Sequence, residues 1–282
     1  MWNKQIDEFI DRALEEDIGD GDHTSLACIP AEARGQAQLL VKQSGIIAGS
    51  EIARMVFNKL DPKVAFDQKI DDGIWVTPND IVFQVEGNVL ALLQAERLVL
   101  NIMQRMSGVA TNTYRYVSEL VGLKTRVLDT RKTTPGMRLL DKMAVKLGGG
   151  ENHRIGLFDM ILIKDNHIDF AGGIENALSR TKRYLKEKNK TLKIEIEARS
   201  IGDVQIILEV GGADRILLDN FSVEDTRKAV NLVDGRCETE SSGGITLDNL
   251  RSYAECGVDY ISVGALTHQI KSIDLSLKAL NY

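Results

Sequence analysis

Cysteine is scarce and scattered in this chain: Cys28, Cys237 and Cys256 are its three. An odd number at such separations, with no pair at metal-ligand spacing, excludes a disulfide framework and a cysteine-bound zinc site. Free thiols of this kind fit a reducing cytoplasm. Long apolar runs are missing too. No stretch approaches the roughly eighteen apolar residues of a membrane span. The opening MWNKQIDEFIDRALEED carries acids throughout, where a signal peptide needs an apolar core. No Lys/Arg block is interleaved with aromatics, and the net charge of −6 argues against nucleic acid as a partner. The basic run from Lys182 to Lys193 reads as a solvated helix end and turn.

What is present is enough for a large core: 282 residues, 43% of them hydrophobic. Ile6, Phe9, Ile10, Ala13 and Leu14 recur at helical spacing and predict an opening amphipathic helix to about Asp17. A polar loop, residues 19–25, follows. Its Asp20, Asp22 and His23 suit a turn whose side chains bond their own backbone better than a metal site. Residues 36–88 are β-rich, with strands expected at 37–42, 45–48, 64–70 and 80–86 and a helix at 50–60. Residues 89–106 are apolar around most of a helical circumference, which predicts burial on nearly every side. Ser107-Gly108 is expected to close that helix, and 110–121 to resume it.

After Lys124 short β-prone runs (125–128, 160–163, 192–196, 215–218, 236–240, 259–263) alternate with helical patterns (137–147, 173–188, 201–210, 222–233, 246–255). Such alternation is the βα repeat of a parallel sheet closing toward a barrel. Six strands fall short of the eight of a complete one, so the expected fold class is α/β: an amino-terminal α+β layer domain followed by an open, incomplete α/β barrel. The expected division is 1–112 for the layer domain and 113–271 for the barrel, with a carboxyl-terminal helix over 272–282 joining the first.

Charge is concentrated within the barrel half. Between Lys124 and His167 nine Lys or Arg face five acids, a local balance of +4 in an acidic chain. A cationic segment of this kind draws an anion by raising its local concentration. Carboxyl ends of parallel strands are where barrels place their chemistry. Here those ends carry Arg131 and Lys132, then Lys164, then Glu195 or Glu197, then Asp219 and Asn220, then Ser242-Gly243-Gly244, then Gly264. Arginine grips carboxylates through paired hydrogen bonds. Lone strand-end carboxylates suit ribose hydroxyls or Mg²⁺. The two late glycine turns let backbone N–H groups approach a phosphate. His153, beside Arg154 after the glycine run 148–150, is the histidine expected in the site; His23 and His268 read as structural, and His167 stays open.

The strings DTRKTTPG, GGGENHR and LIKDNH, in this order and spacing, resemble quinolinate phosphoribosyltransferase. AERLVLNIMQRMSGVAT and the late SSGGI and SVGAL extend the resemblance over nearly the whole chain. It implies an open seven-stranded α/β barrel behind a layer domain, assembled as a homodimer or larger. It also implies transfer of phosphoribosyl from phosphoribosyl pyrophosphate to quinolinate with decarboxylation. By matched motif, Arg131, His153, Arg154 and Lys164 would hold the two carboxylates of quinolinate, and Arg97 would reach the same pocket from a neighbouring subunit. Lys132, Glu197 and Asp219 would serve phosphoribosyl pyrophosphate and its Mg²⁺, with Glu197 and Asp219 as metal carboxylates. Ser242, Gly243 and Gly264 would surround phosphate, and Lys132, Lys164, Glu197 and Asp219 would carry the catalytic roles. A barrel enzyme for a different sugar phosphate would lack the set Arg131, His153, Arg154 and Lys164. A non-catalytic relative would have lost Lys132, Glu197 or Asp219.

Overall fold

The computed structural model describes residues 2–280; Met1, Asn281 and Tyr282 lie outside the described residues. The chain divides into two compact units, one of residues up to 114, 133–149 and from 269 onward, the other of residues 115–132 and 150–268.

In the first unit α1 (Trp2–Ile18) buries Ile6, Ile10 and Leu14, spaced by four so that they share one face. The expected loop that follows contains a short helix, α2 (His23–Cys28). Asp22 is its cap, accepting the Ser25 N–H at 3.0 Å. Then come β1 (Arg34–Val41), β2 (Gly45–Ile46), α3 (Ser50–Leu60), β3 (Ala65–Gln68), β4 (Trp75–Val76) and β5 (Ile81–Asn88). Strand β5 lies between β1 and β3, antiparallel to both. Phe57 of α3 meets the sheet through Phe66 and Phe83, at ring separations of 6.2 and 6.1 Å.

Helix α4 (Val89–Ser118) runs unbroken through Ser107-Gly108, where a break was expected. The physical reason is packing. A Cβ on Gly108 would stand 2.6 Å from the Lys271 carbonyl oxygen and 3.0 Å from Ser272 Cα, so the glycine admits a neighbouring backbone. The Ser107 hydroxyl accepts the Ala48 N–H at 2.9 Å. Nor is the helix buried all round: Leu93, Arg97 and Asn101, one turn apart, form an exposed stripe.

Strand β6 (Arg126–Leu128) opens the second unit, and α5 (Arg138–Leu147) returns to the first, where buried Asp141 takes two hydrogen bonds from Arg105 at 3.0 and 2.9 Å. The βα alternation then proceeds through β7 (Ile161–Ile163), α6 (Asp165–Ala171), α7 (Ile174–Glu187), β8 (Ile194–Ala198), α8 (Ile201–Val210), β9 (Arg215–Asp219), α9 (Val223–Val233), β10 (Glu238–Ser242), α10 (Leu247–Ala254), β11 (Tyr260–Ser262) and α11 (Ala265–His268). The six strands form one parallel sheet in the order β6-β11-β10-β9-β8-β7. The resemblance implies seven strands, and the sheet has six; an isolated parallel bridge joins Leu128 to Glu151 beside it. An incomplete barrel results, with β7 at one edge.

The expected helix over 272–282 is a strand, β12 (Leu275–Ala279), paired antiparallel with β1. Ile273, Leu275 and Leu277 are buried while Asp274 and Lys278 are exposed, a period of two that fits a sheet edge.

Candidate active site

The carboxyl ends of the parallel strands surround a cavity of about 430 Å³. Its walls bring together Arg131, Lys132, His153, Arg154, Lys164, Asp219, Asn220, Ser242, Gly243 and Gly244 from the expected strand ends and loop, and add Thr130 and Glu240. Glu197 stands on the end of β8, almost fully buried, and Gly264 lies beyond β11, where a Cβ would come within 3.0 Å of Lys132 Cδ. Arg97 lies on α4 in the first unit. Of the nine cations in the basic stretch, Arg138, Lys142 and Lys146 belong to α5 and take no part in this wall.

Each side chain is held by local chemistry. Lys132 follows β6; its N–H donates to Thr130 Oγ1 at 3.0 Å, and its carbonyl accepts from buried Thr267 at 2.9 Å. The loop bearing His153 and Arg154 is tied down twice: Asp129, fully buried at the end of β6, accepts the His153 N–H at 2.8 Å, and Asp159 accepts the N–H groups of Ile155 and Gly156 at 2.8 Å each. His167, left open above, accepts the Lys164 N–H through Nδ1 at 2.9 Å and so caps α6 directly after β7. Directly after β9 Asn220 adopts a left-handed backbone (φ 54) and donates through Nδ2 to Asp219 at 2.7 Å. Gly243 (φ 89) packs on that turn; a Cβ there would stand 2.6 Å from Asn220 Cγ and 3.0 Å from its backbone nitrogen.

The electrostatics are those of an anion receptor with a carboxylate pole. Arg131, Lys132 and Lys164 have no ion-pair partner within 4 Å among the described residues. Burial and the nearby charge of Arg131 lower the Arg154 pKa, so an added anion there gains more than it would on open surface. Glu197 is pushed up by burial and then by Asp219. The carboxylates of Glu197 and Asp219 are hard oxygen donors suited to Mg²⁺ held with substrate phosphate oxygens.

Under the cavity lies a charged cluster that no motif had marked. Arg215 donates through Nη1 to Glu240 at 2.9 Å and through Nη2 to Glu238 at 3.0 Å, and its guanidinium stacks 4.0 Å above the Tyr260 ring. Glu195 and Glu240 are both fully buried. Burial pushes each up to about 7; Arg215 opposes the rise in both, and the charge of Glu195 adds to it in Glu240. The available signal was alternation: Glu195/Glu197, Arg215/Asp219 and Glu238/Glu240 sit at period-two positions in strands of a parallel sheet, where interior residues are ordinarily apolar.

Two family descriptions match this chain, "Quinolinate phosphoribosyl transferase, N-terminal domain" over residues 22–107 and "C-terminal domain" over residues 109–278. The chain belongs to the quinolinate phosphoribosyltransferase family. It is 44% identical over 284 residues to quinolinate phosphoribosyltransferase [decarboxylating] 1b of Nicotiana tabacum, covering 95% of this chain and 81% of that one. It is 40% identical over 277 residues to the probable nicotinate-nucleotide pyrophosphorylase [carboxylating] of Bacillus subtilis, covering 98% and 94%. The crystal structure of NadC from Streptococcus pyogenes superposes with a TM-score of 0.92 at 36% identity, covering 98% of each chain. Among the described residues no helix is long and apolar enough to cross a membrane.

Proposed function

We propose that this member of the quinolinate phosphoribosyltransferase family transfers phosphoribosyl from phosphoribosyl pyrophosphate to quinolinate and releases carbon dioxide and pyrophosphate, giving nicotinate mononucleotide for NAD biosynthesis. One observation carries the proposal: Arg131, Arg154, Lys164 and Lys132 line one cavity with Asp219 and the Ser242-Gly243-Gly244 turn. The cations suit a dicarboxylate, and a glycine turn with a carboxylate suits a ribose phosphate.

Arg131, Arg154 and Lys164 hold the two quinolinate carboxylates, with His153 at the same wall. This grip orients the pyridine nitrogen toward the anomeric carbon of the ribose. Lys132, Ser242, Gly243 and Gly264 attend the phosphates, and Glu197 and Asp219 would hold Mg²⁺. That ion, when bound, neutralises charge on the departing pyrophosphate. The nitrogen lone pair forms the bond to carbon as the bond to pyrophosphate breaks. Once the nitrogen is cationic, the 2-carboxyl group leaves as carbon dioxide, its bonding pair stays at C2 beside that positive centre, and a proton then takes it up. The residues act by position and charge; no side-chain nucleophile is required.

A two-fold assembly completes the proposal, with Arg97 reaching the partner's cavity. It is supported by the exposed Leu93–Arg97–Asn101 stripe of α4 and by Leu157, Phe158 and Phe170, each at least 70% exposed. A cytoplasmic setting is supported by three free cysteines.

The test is incubation with quinolinate, phosphoribosyl pyrophosphate and Mg²⁺, following nicotinate mononucleotide. Carbon dioxide and pyrophosphate should appear in equal amounts. Nicotinate should be a poor substrate, because it leaves cations facing a missing carboxylate; efficient turnover of nicotinate would overturn the assignment.

A further inference from the structure

His153 faces the cavity, but its ring nitrogens are turned into the protein. Nδ1 accepts the backbone N–H of Arg154 at 2.7 Å. A ring nitrogen accepts only when it carries no proton, so the proton of this neutral imidazole resides on Nε2. Nε2 in turn lies 2.9 Å from Glu195 Oε2 and 3.6 Å from Glu240 Oε2. Neither oxygen of Glu195, nor Oε1 of Glu240, has a hydrogen-bond partner among the described residues, so the imidazole meets the two carboxylates through charge and proximity. The cation that keeps this pair in place is Arg215, bonded to Glu240 Oε2 at 2.9 Å and stacked on Tyr260. A buried carboxylate without such a partner would be strongly destabilising.

The chain of contacts therefore runs from Arg215 to Glu240, through the imidazole, to the backbone of Arg154. We propose that Glu240, fixed by Arg215 and acting with Glu195, is a positioning residue for quinolinate: it holds the His153 ring with its proton on Nε2, which leaves Nδ1 as the acceptor that orients Arg154 toward the substrate carboxylate. This inference rests on the cavity being the quinolinate site. Asp129 holds the same loop by the His153 N–H, so the loop has two anchors, one on the backbone and one through the ring.

The sharpest variant is Glu240→Gln, which keeps shape and removes charge. Arg215 and Nε2 face the same oxygen, Oε2, so the amide oxygen would stand there as an uncharged, weaker acceptor, with the amide N–H₂ in the place of Oε1. Without the carboxylate charge the hold on the Nε2 proton weakens, and the imidazole is free to shift its proton to Nδ1, where it opposes the Arg154 N–H, or to turn away. Either way Arg154 loses its alignment, and misplacement of a binding group by a fraction of an ångström is costly.

The experiment has two parts. Steady-state kinetics of Glu240→Gln should show KM for quinolinate raised roughly tenfold, with KM for phosphoribosyl pyrophosphate within about twofold of the parent and an unchanged Tm. Nitrogen-15 NMR of the histidines in the substrate-free parent, assigned with His153→Gln, should show His153 neutral with its proton on Nε2, and in Glu240→Gln that signature should be lost. An unchanged quinolinate KM in the folded variant overturns the proposal, as does an equal rise for both substrates. An Nδ1-protonated or doubly protonated His153 in the parent overturns it whether or not the variant folds. A parent with the expected imidazole but no turnover of quinolinate keeps the positioning of Arg154 and instead removes the assigned substrate.

Discussion

At the scale of single residues, the cavity lining carries two kinds of recognition. Arg154 stands on a loop knitted by Asp129 and Asp159, whereas Asp219 ends β9 and is aimed by Asn220. Removing one should not damage the other's substrate. Arg154→Ala is expected to raise KM for quinolinate about ten- to a hundredfold, since a charge-assisted hydrogen bond contributes roughly 1.5 to 3 kcal/mol. Asp219→Ala should instead raise KM for phosphoribosyl pyrophosphate and shift the Mg²⁺ dependence. Steady-state kinetics with each substrate varied in turn checks both; the same impairment toward both substrates, with a lowered Tm, would mean that the substitutions act through folding.

Individual elements show how a residue type changes meaning with its surroundings. Gly108 lies in the middle of α4, where glycine is normally a weak point and Ala adds about 0.5–1 kcal/mol. Here the Lys271 and Ser272 backbone occupies the space a methyl would need. Gly108→Ala should therefore destabilise by about 1–3 kcal/mol, as overpacking does. Thermal melting decides, and a rise in Tm would show the close approach to be unimportant. The strands and helices of the barrel half were legible because each carries its own apolar run or stripe between polar turns, as β9 and α8 do. The cavity's cations were legible because Arg131, Lys132 and Lys164 follow such runs and Arg154 follows the glycine run 148–150 that ends a helix. Three features were not. Ser107-Gly108 looks like a helix stop until the approaching backbone is known. The segment after 272 carries enough Leu and Ala for a helix, and only the free edge of β1 selects the strand. Glu240 and Arg215 are ordinary charges in sequence; their pairing under the cavity depends on the register of β9 with β10, which places Glu238 opposite Arg215 and Glu240 opposite Leu217.

For the whole molecule, the exposed position of Arg97 sets the expectation. If the partner's Arg97 completes each cavity, Arg97→Ala and Arg154→Ala should each lose most activity at quinolinate concentrations below the parental KM, yet a heterodimer of the two restores one intact site. Random pairing across a two-fold interface predicts recovery toward roughly a quarter of parental activity on co-expression. Demonstrated subunit exchange with no recovery would confine Arg97 to its own chain.

The pairing of β12 with β1 also governs the order in which the chain can acquire its structure. Residues 37–41 leave the ribosome more than two hundred residues before their partners at 275–279, and the segment 133–149 of the same unit arrives in between. A nascent chain thus holds an unfinished sheet edge for most of its synthesis, a template for mispairing with neighbouring chains. The barrel half, contiguous from residue 150 to 268, has its strands in hand before the amino-terminal sheet is closed. Maturation of the first unit is therefore tied to synthesis of residues 275–279, and a chain cut short before them leaves one edge of β1 exposed.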